Sequence, residues 1–202
     1  MSMKESVDSG GNQNFIEERG PFKVVSREIK HDRFSMRFNA DKVINPDGSE
    51  GEQFWIDFPN QAVLIFPFDN EGNIYLSEEF TYEIGKFSIE VAGGVINDGE
   101  KPEDAAIRKV KDELGIEAES LGYMGTVYNI TSRVNNASHL FFAKVKSVGQ
   151  ANPQWKKTIR LKQVQFEEAY KMALNGQINT DSIKGGIFQI KLFLDSLKQP
   201  SS

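Results

Sequence analysis

The stretch from Glu90 to Ile116 constrains the fold most strongly, because it predicts a strand, a tight loop and a helix in direct succession. A short apolar strand ends at the glycine pair Gly93-Gly94, and the Asn-Asp-Gly sequence that follows is typical of a turn. Proline suits the first position of a helix, and glycine suits the position just beyond its last turn. The placement of Pro102 and Gly115 therefore predicts a helix over 102–114.

This helix has an apolar face and a charged face. Helical spacing places four apolar residues on a stripe that should face a core, namely Ala106, Ile107, Val110 and Leu114. Lys109, Asp112 and Glu113 are three and four positions apart, so they project together on another face. Two carboxylates beside a glycine loop suit a divalent cation, which takes oxygen ligands. The alternative is a solvated helix face with Lys109 and Glu113 as an i,i+4 ion pair.

The spacing of this stretch resembles the Nudix box, G-x5-E-x7-R-E-U-x-E-E-x-G-U, where U is an apolar residue. Seven of the specified positions carry the expected residue, namely Gly94, Glu100, Arg108, Val110, Glu113, Gly115 and Ile116. Two carboxylate positions depart from the box, since one glutamate is replaced by Lys109 and another is shortened to Asp112. The box is therefore degenerate.

The resemblance is to the ADP-ribose pyrophosphatase branch of the family and covers roughly residues 36 to 196. It implies an α+β Nudix fold, in which a mixed β-sheet lies between helices as α/β/α layers, with an N-terminal β-strand extension. We expect a disordered tail over 1–20, a strand segment over 21–58 that packs across a homodimer, and a Nudix domain over 59–198.

Local patterns predict the other elements. Alternating apolar and polar residues predict two strands over 22–38, and the Asn-Pro-Asp-Gly sequence at 45–48 predicts a turn before a strand at 53–58. Further strands are predicted at 62–68, 74–79, 122–128 and 138–145, and helices at 163–175 and 181–197. The last helix should pack on the sheet through Ile183, Ile187, Ile190, Phe193 and Leu197.

Composition narrows the class of function. The chain of 202 residues has no cysteine, which excludes disulfides, thiol nucleophiles and thiolate metal sites. No apolar run is long enough to span a membrane and no signal peptide is visible, so we expect a soluble, cytoplasmic protein without a membrane partner. The net charge of -5 argues against general binding of nucleic acid. His31 and His139 have no partner at ligand spacing and are expected to be structural.

The resemblance implies hydrolysis of a nucleoside diphosphate linked to another moiety, ADP-ribose or a nucleotide sugar, with Mg²⁺ or Mn²⁺ as cofactor. It assigns catalysis to Glu113, Asp112 and Arg108, and metal binding to Asp112, Glu113 and a carbonyl near Gly93. Glu100 with Arg108, and Gly94, brace the loop against the helix. Trp55, Lys109 and Arg133 are candidate substrate-binding residues. Trp55 and Phe54 are candidates to stack on a nucleobase, with core packing as the alternative for Phe54.

Three departures from the branch each remove a working group. Lys109 replaces a box glutamate, Asn136 stands near a loop position where a glutamate acts as base, and Thr81 stands where an arginine contacts phosphate. Two unit charges lost beside a divalent ion cost about 1 kcal/mol per charge pair at roughly 4 Å, even in water. The affinity for Mg²⁺ or Mn²⁺ should therefore fall at least about tenfold.

Three hypotheses follow from these departures. The first is an enzyme that uses a substituted base, with Glu78, Glu79 and Glu90 as candidates. The second is a catalytically impaired module that binds an ADP-ribose-like ligand, with Lys109 taking the place of a metal ion. The third is a structural dimer without a ligand.

Overall fold

A computed structural model describes residues 16–33, 36–152 and 160–198 of the protein. The chain divides into two compact units, Met1–Pro59 and Asn60–Ser202. Residues 1–15 of the expected tail lie outside the described residues. Within the rest of that segment, Glu17–Arg19 form a strand, because they pair with the strand that follows.

The first unit is an antiparallel sheet whose strands pair in chain order. Its strands are β1 (Glu17–Arg19), β2 (Phe22–Arg33), β3 (Met36–Ile44) and β4 (Glu50–Asp57). The predicted turn lies between β3 and β4, where the N–H of Gly48 donates to the carbonyl oxygen of Asn45 at 2.9 Å. The predicted turn is therefore confirmed, and strands lie on both sides of it, although β3 continues to Ile44 and β4 covers Glu50–Asp57 instead of 53–58.

The described residues of the second unit form a mixed sheet, three α-helices and a short 3₁₀ helix, Tyr82–Ile84. The strands of this sheet are β5 (Ala62–Phe68), β6 (Asn73–Thr81), β7 (Lys86–Glu90), β8 (Ala92–Val95), β9 (Ile116–Tyr128), β11 (Ala137–Val148) and β12 (Arg160–Gln165), and the two-residue strand β10 (Val134–Asn135) lies outside it. The helices are α1 (Pro102–Leu114), α2 (Phe166–Leu174) and α3 (Asp181–Ser196). The sheet order is β12-β6-β5-β11-β9, with β5 and β11 parallel and the other pairs antiparallel. In addition, β7 pairs with β6, and β8 pairs with β5.

Helices cover both faces of this sheet. Along β5, Val63 and Ile65 pack in a core with α1, whereas Phe66 and Phe68 pack in a second core with α2 and α3. Successive side chains of a strand point to opposite faces, so one buried strand serves both cores. The expected α+β fold with α/β/α layers is confirmed.

The bounds of α1 match the prediction, but its buried stripe differs by one residue. Ala106, Val110 and Leu114 are buried as expected. The placement of Ile107 was wrong, because its side chain is 48% exposed, and Ala105 is buried in its place. Alanine is small enough to approach the sheet closely, and this shifts the buried face of the helix towards position 105.

The largest differences between predicted and observed bounds concern β12 and β9. Residues 163–165 form the end of β12 instead of a helix, because they pair with Asn73, Ile74 and Tyr75 of β6. The strand predicted from Gly122 begins earlier, at Ile116, because Gly115 turns the chain directly from α1 into β9.

The last helix lies close to its predicted position and packs on the sheet with its first turns. Ile183, Ile187 and Ile190 are buried as expected. Phe193 and Leu197 are 62% and 67% exposed, so their assignment to the core was wrong. Beyond Ile190, α3 instead contacts the core through the partly buried side chain of Leu194. Among the described residues, no helix combines the length and hydropathy needed to cross a membrane.

Candidate active site

The loop that begins the site depends on two glycines in β8. A Cβ atom at Gly93 would lie 2.7 Å from the carbonyl oxygen of Val63 on the neighbouring strand β5, so only glycine fits there. Gly94 has a φ of +141°, which other residues rarely adopt. The two glycines let the chain run close against β5 and then turn towards α1.

An ion pair between Glu100 and Arg108 holds this turn against the helix. Arg108 donates to both carboxylate oxygens, from Nε to Oε1 at 2.7 Å and from Nη2 to Oε2 at 2.6 Å. Glu100 Oε2 also accepts the backbone N–H of Asn97 at 2.9 Å. The hydrogen bonds from Arg108 and then Asn97 lower the pKa of Glu100 to about 2. A bidentate pair of this kind fixes orientation as well as distance.

A side chain that the sequence did not indicate connects the turn to the segment that precedes β5. Asn60 Nδ2 donates to the carbonyl oxygen of Ile96 at 3.1 Å and to Asp98 Oδ1 at 2.9 Å. Asn60 precedes Ile96 by 36 positions, so no local pattern relates it to the turn. The turn is therefore attached to the segment before β5 as well as to α1.

Glu113 reaches from α1 back to the glycine pair. Its Oε2 accepts the backbone N–H of Gly93 at 3.0 Å, and its Oε1 lies 3.6 Å from Lys109 Nζ. The side chains of Lys109 and Glu113 are 13% and 24% exposed. The i,i+4 ion pair considered from the sequence is therefore present, but it is shielded from solvent and lies against the loop.

The end of α1 that carries these acids is held by the segment after β11. A Cβ atom at Gly115 would lie 2.5 Å from the carbonyl oxygen of Gly149, and the N–H of Gly149 donates to the carbonyl oxygen of Gly115 at 2.8 Å. Asn152 donates its N–H to the backbone carbonyl of Asp112 at 2.9 Å. The position of Asp112 thus depends on backbone contacts beyond its own helix.

Asp112 and Glu113 offer carboxylate oxygens, the ligands that Mg²⁺ and Mn²⁺ prefer. Within 16–33, 36–152 and 160–198, no three or more His, Cys, Asp or Glu side chains are grouped so as to hold a metal ion. The ammonium group of Lys109 lies beside Glu113 instead. The donors fit a hard divalent cation in kind, and the positive charge of Lys109 offsets part of their negative charge.

The alternation of β6 separates two of the glutamates considered as a base. Tyr75 packs in the core on the α1 side of the sheet, and Leu76 packs in the core on the other side. Because faces alternate along a strand, Glu79 lies on the α1 side and Glu78 on the opposite side. Glu78 there pairs with Lys162, whose Nζ is 3.2 Å from its Oε1.

Glu90, the third glutamate considered as a base, and Thr81, which the resemblance aligns with an arginine, both belong to the β6–β7 hairpin. Glu90 in β7 accepts a hydrogen bond from Thr180 Oγ1 at 3.2 Å, at the residue that precedes α3. The hydroxyl of Thr81 hydrogen-bonds that of Ser88 across the hairpin. The side chain at position 81 therefore contributes a hydrogen bond within the hairpin.

The connection between β9 and β11 carries two more sequence candidates. Arg133 is exposed, and the backbone carbonyl oxygen of Asn136 accepts the backbone N–H of Asn129 at 3.2 Å. Ile130 in the same connection has a φ of 52°, an uncommon conformation for a β-branched residue.

Trp55 lies in the first unit, within a cluster of charged side chains. Its indole N–H donates to Asp41 Oδ2 at 3.0 Å, and the guanidinium carbon of Arg19 lies 4.1 Å from its ring centroid. Arg27 donates to both Asp41 oxygens at 2.7 and 2.8 Å. Burial opposes ionisation of Asp41, but the hydrogen bonds from Arg27 and Trp55 outweigh it and lower its pKa. Stacking of Trp55 on a nucleobase stays a prediction.

Phe54 and His139 were also singled out from the sequence. Phe54 is 43% exposed and stacks on Phe38, so the core alternative for Phe54 was wrong. His139 hydrogen-bonds Gln61 through Nε2 at 2.6 Å and Thr126 through Nδ1 at 3.0 Å. These contacts agree with the structural role expected for His139.

The fold, the glycine loop and the braced helix together have a counterpart among known protein families. The chain belongs to the Nudix family, since the family model for the NUDIX domain matches residues 58–183. Within the family it is similar to ADP-ribose pyrophosphatases. The protein of that name from Bacillus subtilis is 23% identical over 66% of this chain and 72% of its own length. The one from Haemophilus influenzae is 27% identical over 55% of this chain and 53% of its own length.

Two further comparisons are with a relative that matches over a shorter part of the chain and with a solved structure. An uncharacterised Nudix hydrolase of Schizosaccharomyces pombe is 35% identical over 43% of this chain, and the match covers 40% of that protein. This chain therefore spans less than half the length of that relative. The crystal structure of an ADP compounds hydrolase superposes with a TM-score of 0.79 at 14% identity, covering 91% of this chain and 100% of that one. This likeness concerns the fold alone.

Proposed function

We propose that the protein hydrolyses the diphosphate of a nucleoside diphosphate linked to another moiety, with ADP-ribose or a nucleotide sugar as the substrate. Two relatives from Bacillus subtilis and Haemophilus influenzae carry the name ADP-ribose pyrophosphatase. The observation that carries the proposal is the braced loop, in which Glu100 and Arg108 form a bidentate pair and Glu113 accepts the N–H of Gly93 at 3.0 Å.

Each part of this loop has a task in the proposed reaction. The Glu100–Arg108 pair keeps the turn rigid, so that a phosphate chain can be positioned against it. Glu113 is oriented by Gly93, and Asp112 by the backbone contact of its helix end with Asn152. Asp112 and Glu113 would hold Mg²⁺ or Mn²⁺, which would neutralise phosphate charge and make a bound water more acidic.

A base is needed to take a proton from the attacking water. Asn136 cannot act as one at neutral pH, because a carboxamide is not basic. Of the two adjacent glutamates, Glu79 lies on the α1 side of the sheet and Glu78 on the opposite side, and the hydrogen bond with Thr180 Oγ1 directs Glu90 towards the start of α3. Glu79 is therefore our candidate for the base.

A second candidate function is the binding of an ADP-ribose-like ligand without turnover. The observation that favours it is the shielded Lys109–Glu113 pair, in a chain whose described residues include no group of three potential metal-ligating side chains. Such a module would retain the braced loop and bind the ligand, but it would not catalyse the metal-dependent hydrolysis.

Incubation of the protein with ADP-ribose and a panel of nucleotide sugars, in Mg²⁺ or Mn²⁺, separates these two functions. The enzyme should release AMP and a phosphosugar, measured by chromatography with mass detection. The binding module should show a rise in melting temperature with ADP-ribose and no product. Absence of product across the panel rules out the hydrolase, and absence of both product and thermal shift rules out both functions.

A further inference from the structure

Lys109 lies between Glu113 and the glycine loop of the candidate site. Its ammonium group lies 3.6 Å from Glu113 Oε1, on a side chain that is only 13% exposed. A Cβ atom at Gly94 would lie 2.7 Å from the same nitrogen, so the lysine side chain packs directly on the glycine loop. The N–H of Gly93 donates to the other oxygen of Glu113.

The ammonium group also changes the charge balance of the loop. Lys109 and Arg108 provide two positive charges, against three negative charges from Glu100, Asp112 and Glu113. Lys109 acts on Glu100 as well, since its charge contributes to the lowered pKa of that carboxyl group. The patch therefore carries a net charge of only -1 before any ligand binds.

We propose that Lys109 is a built-in cation, which competes with divalent metal for Glu113 and lets the site bind a pyrophosphate group with little dependence on metal. The inference concerns the site of the proposed function and takes its ligand class from it. A divalent ion that approaches Glu113 meets the repulsion of a fixed ammonium group a few ångströms away, in a setting with less solvent screening than the open surface. The same ammonium group attracts the negative oxygens of a pyrophosphate.

Manganese titration by calorimetry tests the competition without any nucleotide. Lys109→Glu should bind Mn²⁺ at least about tenfold more tightly than the wild type, because one positive charge is replaced by a negative one. Lys109→Gln, which removes the charge alone, should bind Mn²⁺ with intermediate affinity. Lys111→Glu is the matched control, since it makes the same charge change at an exposed position of α1 and should shift Mn²⁺ affinity by about twofold or less. Equal Mn²⁺ affinities for the wild type and Lys109→Glu would overturn the inference.

The second part of the proposal is that pyrophosphate binds with little dependence on metal. Binding of inorganic pyrophosphate, measured with EDTA and again with Mg²⁺, tests this part. The wild type should bind pyrophosphate with affinities that differ by about threefold or less between the two conditions, as expected when the cation is part of the chain. Lys109→Gln should lose about tenfold or more in EDTA, and Lys111→Glu should behave as the wild type. Wild-type binding that disappears in EDTA contradicts metal-independent recognition.

The two proposals fail in different ways. If ADP-ribose gives neither product nor thermal shift while Lys109→Glu still gains Mn²⁺ affinity, the proposed function fails and the competition at Glu113 stands. If ADP-ribose is cleaved while the wild type and Lys109→Glu bind Mn²⁺ equally, the inference about Lys109 fails and the function stands. Melting temperatures of all three variants serve to verify that each is folded.

Discussion

At the scale of single residues, Glu79 and Glu78 are adjacent acids on opposite faces of β6. If Glu79 takes the proton from water, Glu79→Gln should lower kcat about 10²- to 10⁴-fold, the usual contribution of a general base. KM should change little, because the amide keeps the shape of the side chain. Glu78→Gln should leave kcat within about twofold, since its carboxylate faces the other side, towards Lys162. Steady-state kinetics with ADP-ribose measure both, and equal losses in the two variants would contradict the assignment.

The brace predicts a pH dependence of stability at one residue. The pKa of Glu100 is lowered from 4.5 to about 2 in the folded protein. A lowered pKa means that the carboxylate stabilises the fold above pH 4.5, and that this stabilisation is lost as the pH falls towards 2. Glu100→Gln should therefore be less stable than the wild type at pH 7, and this difference should shrink at pH 3. Urea denaturation at the two pH values measures it, with the exposed Glu83→Gln as a control that should show no such change.

Residues related by local spacing could be predicted from the sequence, whereas residues brought together by the sheet could not. The spacing of the box related Glu100 to Arg108, and helical periodicity related Lys109 to Glu113. Asn60 lies 36 positions before its partner Ile96. Its contact depends on β5 lying beside β8, and no pattern within a single segment records that pairing.

At the scale of elements, two neighbouring glycines in α3 have opposite roles. A Cβ atom at Gly186 would lie 2.1 Å from Cζ of the fully buried Phe66, whereas one at Gly185 would meet open space. Gly185→Ala should therefore stabilise the protein by roughly 0.5–1 kcal/mol, through the better helix propensity of alanine. Gly186→Ala should destabilise it by about 1–3 kcal/mol, because the tightly packed core must shift. Urea denaturation measures both, and stabilisation by both substitutions would show that Phe66 can move aside.

The difference between local signals and contacts from other elements also explains which elements could be predicted well from the sequence. Both ends of α1 carry local signals, a proline at the first turn and a glycine at φ 68° beyond the last. The Gly185-Gly186 pair gives no local signal for the start of α3, because the requirement for close packing on Phe66 comes from another element. Residues 163–165 were misassigned for a related reason, since their strand character comes from pairing with β6.

At the scale of the whole molecule, the first unit is a sheet with few buried hydrophobic side chains among its described residues. Among its described residues, Val24 and Val43 are the hydrophobic side chains that are buried. Phe38 and Phe54 form a stacked pair that is 38% and 43% exposed. A small sheet needs a covered apolar face for stability, so we expect a homodimer in which this aromatic pair is buried.

Substitution of one aromatic residue in each unit tests the expected homodimer. Phe54→Glu should convert the dimer into a monomer, because an ionised carboxylate cannot be buried in an apolar contact without a large cost. Phe87→Glu makes the same change at an aromatic residue of the second unit that is 53% exposed, and it should leave the dimer intact. Light scattering after size-exclusion chromatography measures the mass of each form. A wild-type monomer, or a Phe54→Glu protein that stays dimeric, would contradict the role of the first unit, and dissociation by Phe87→Glu instead would move the interface to the β6–β7 hairpin.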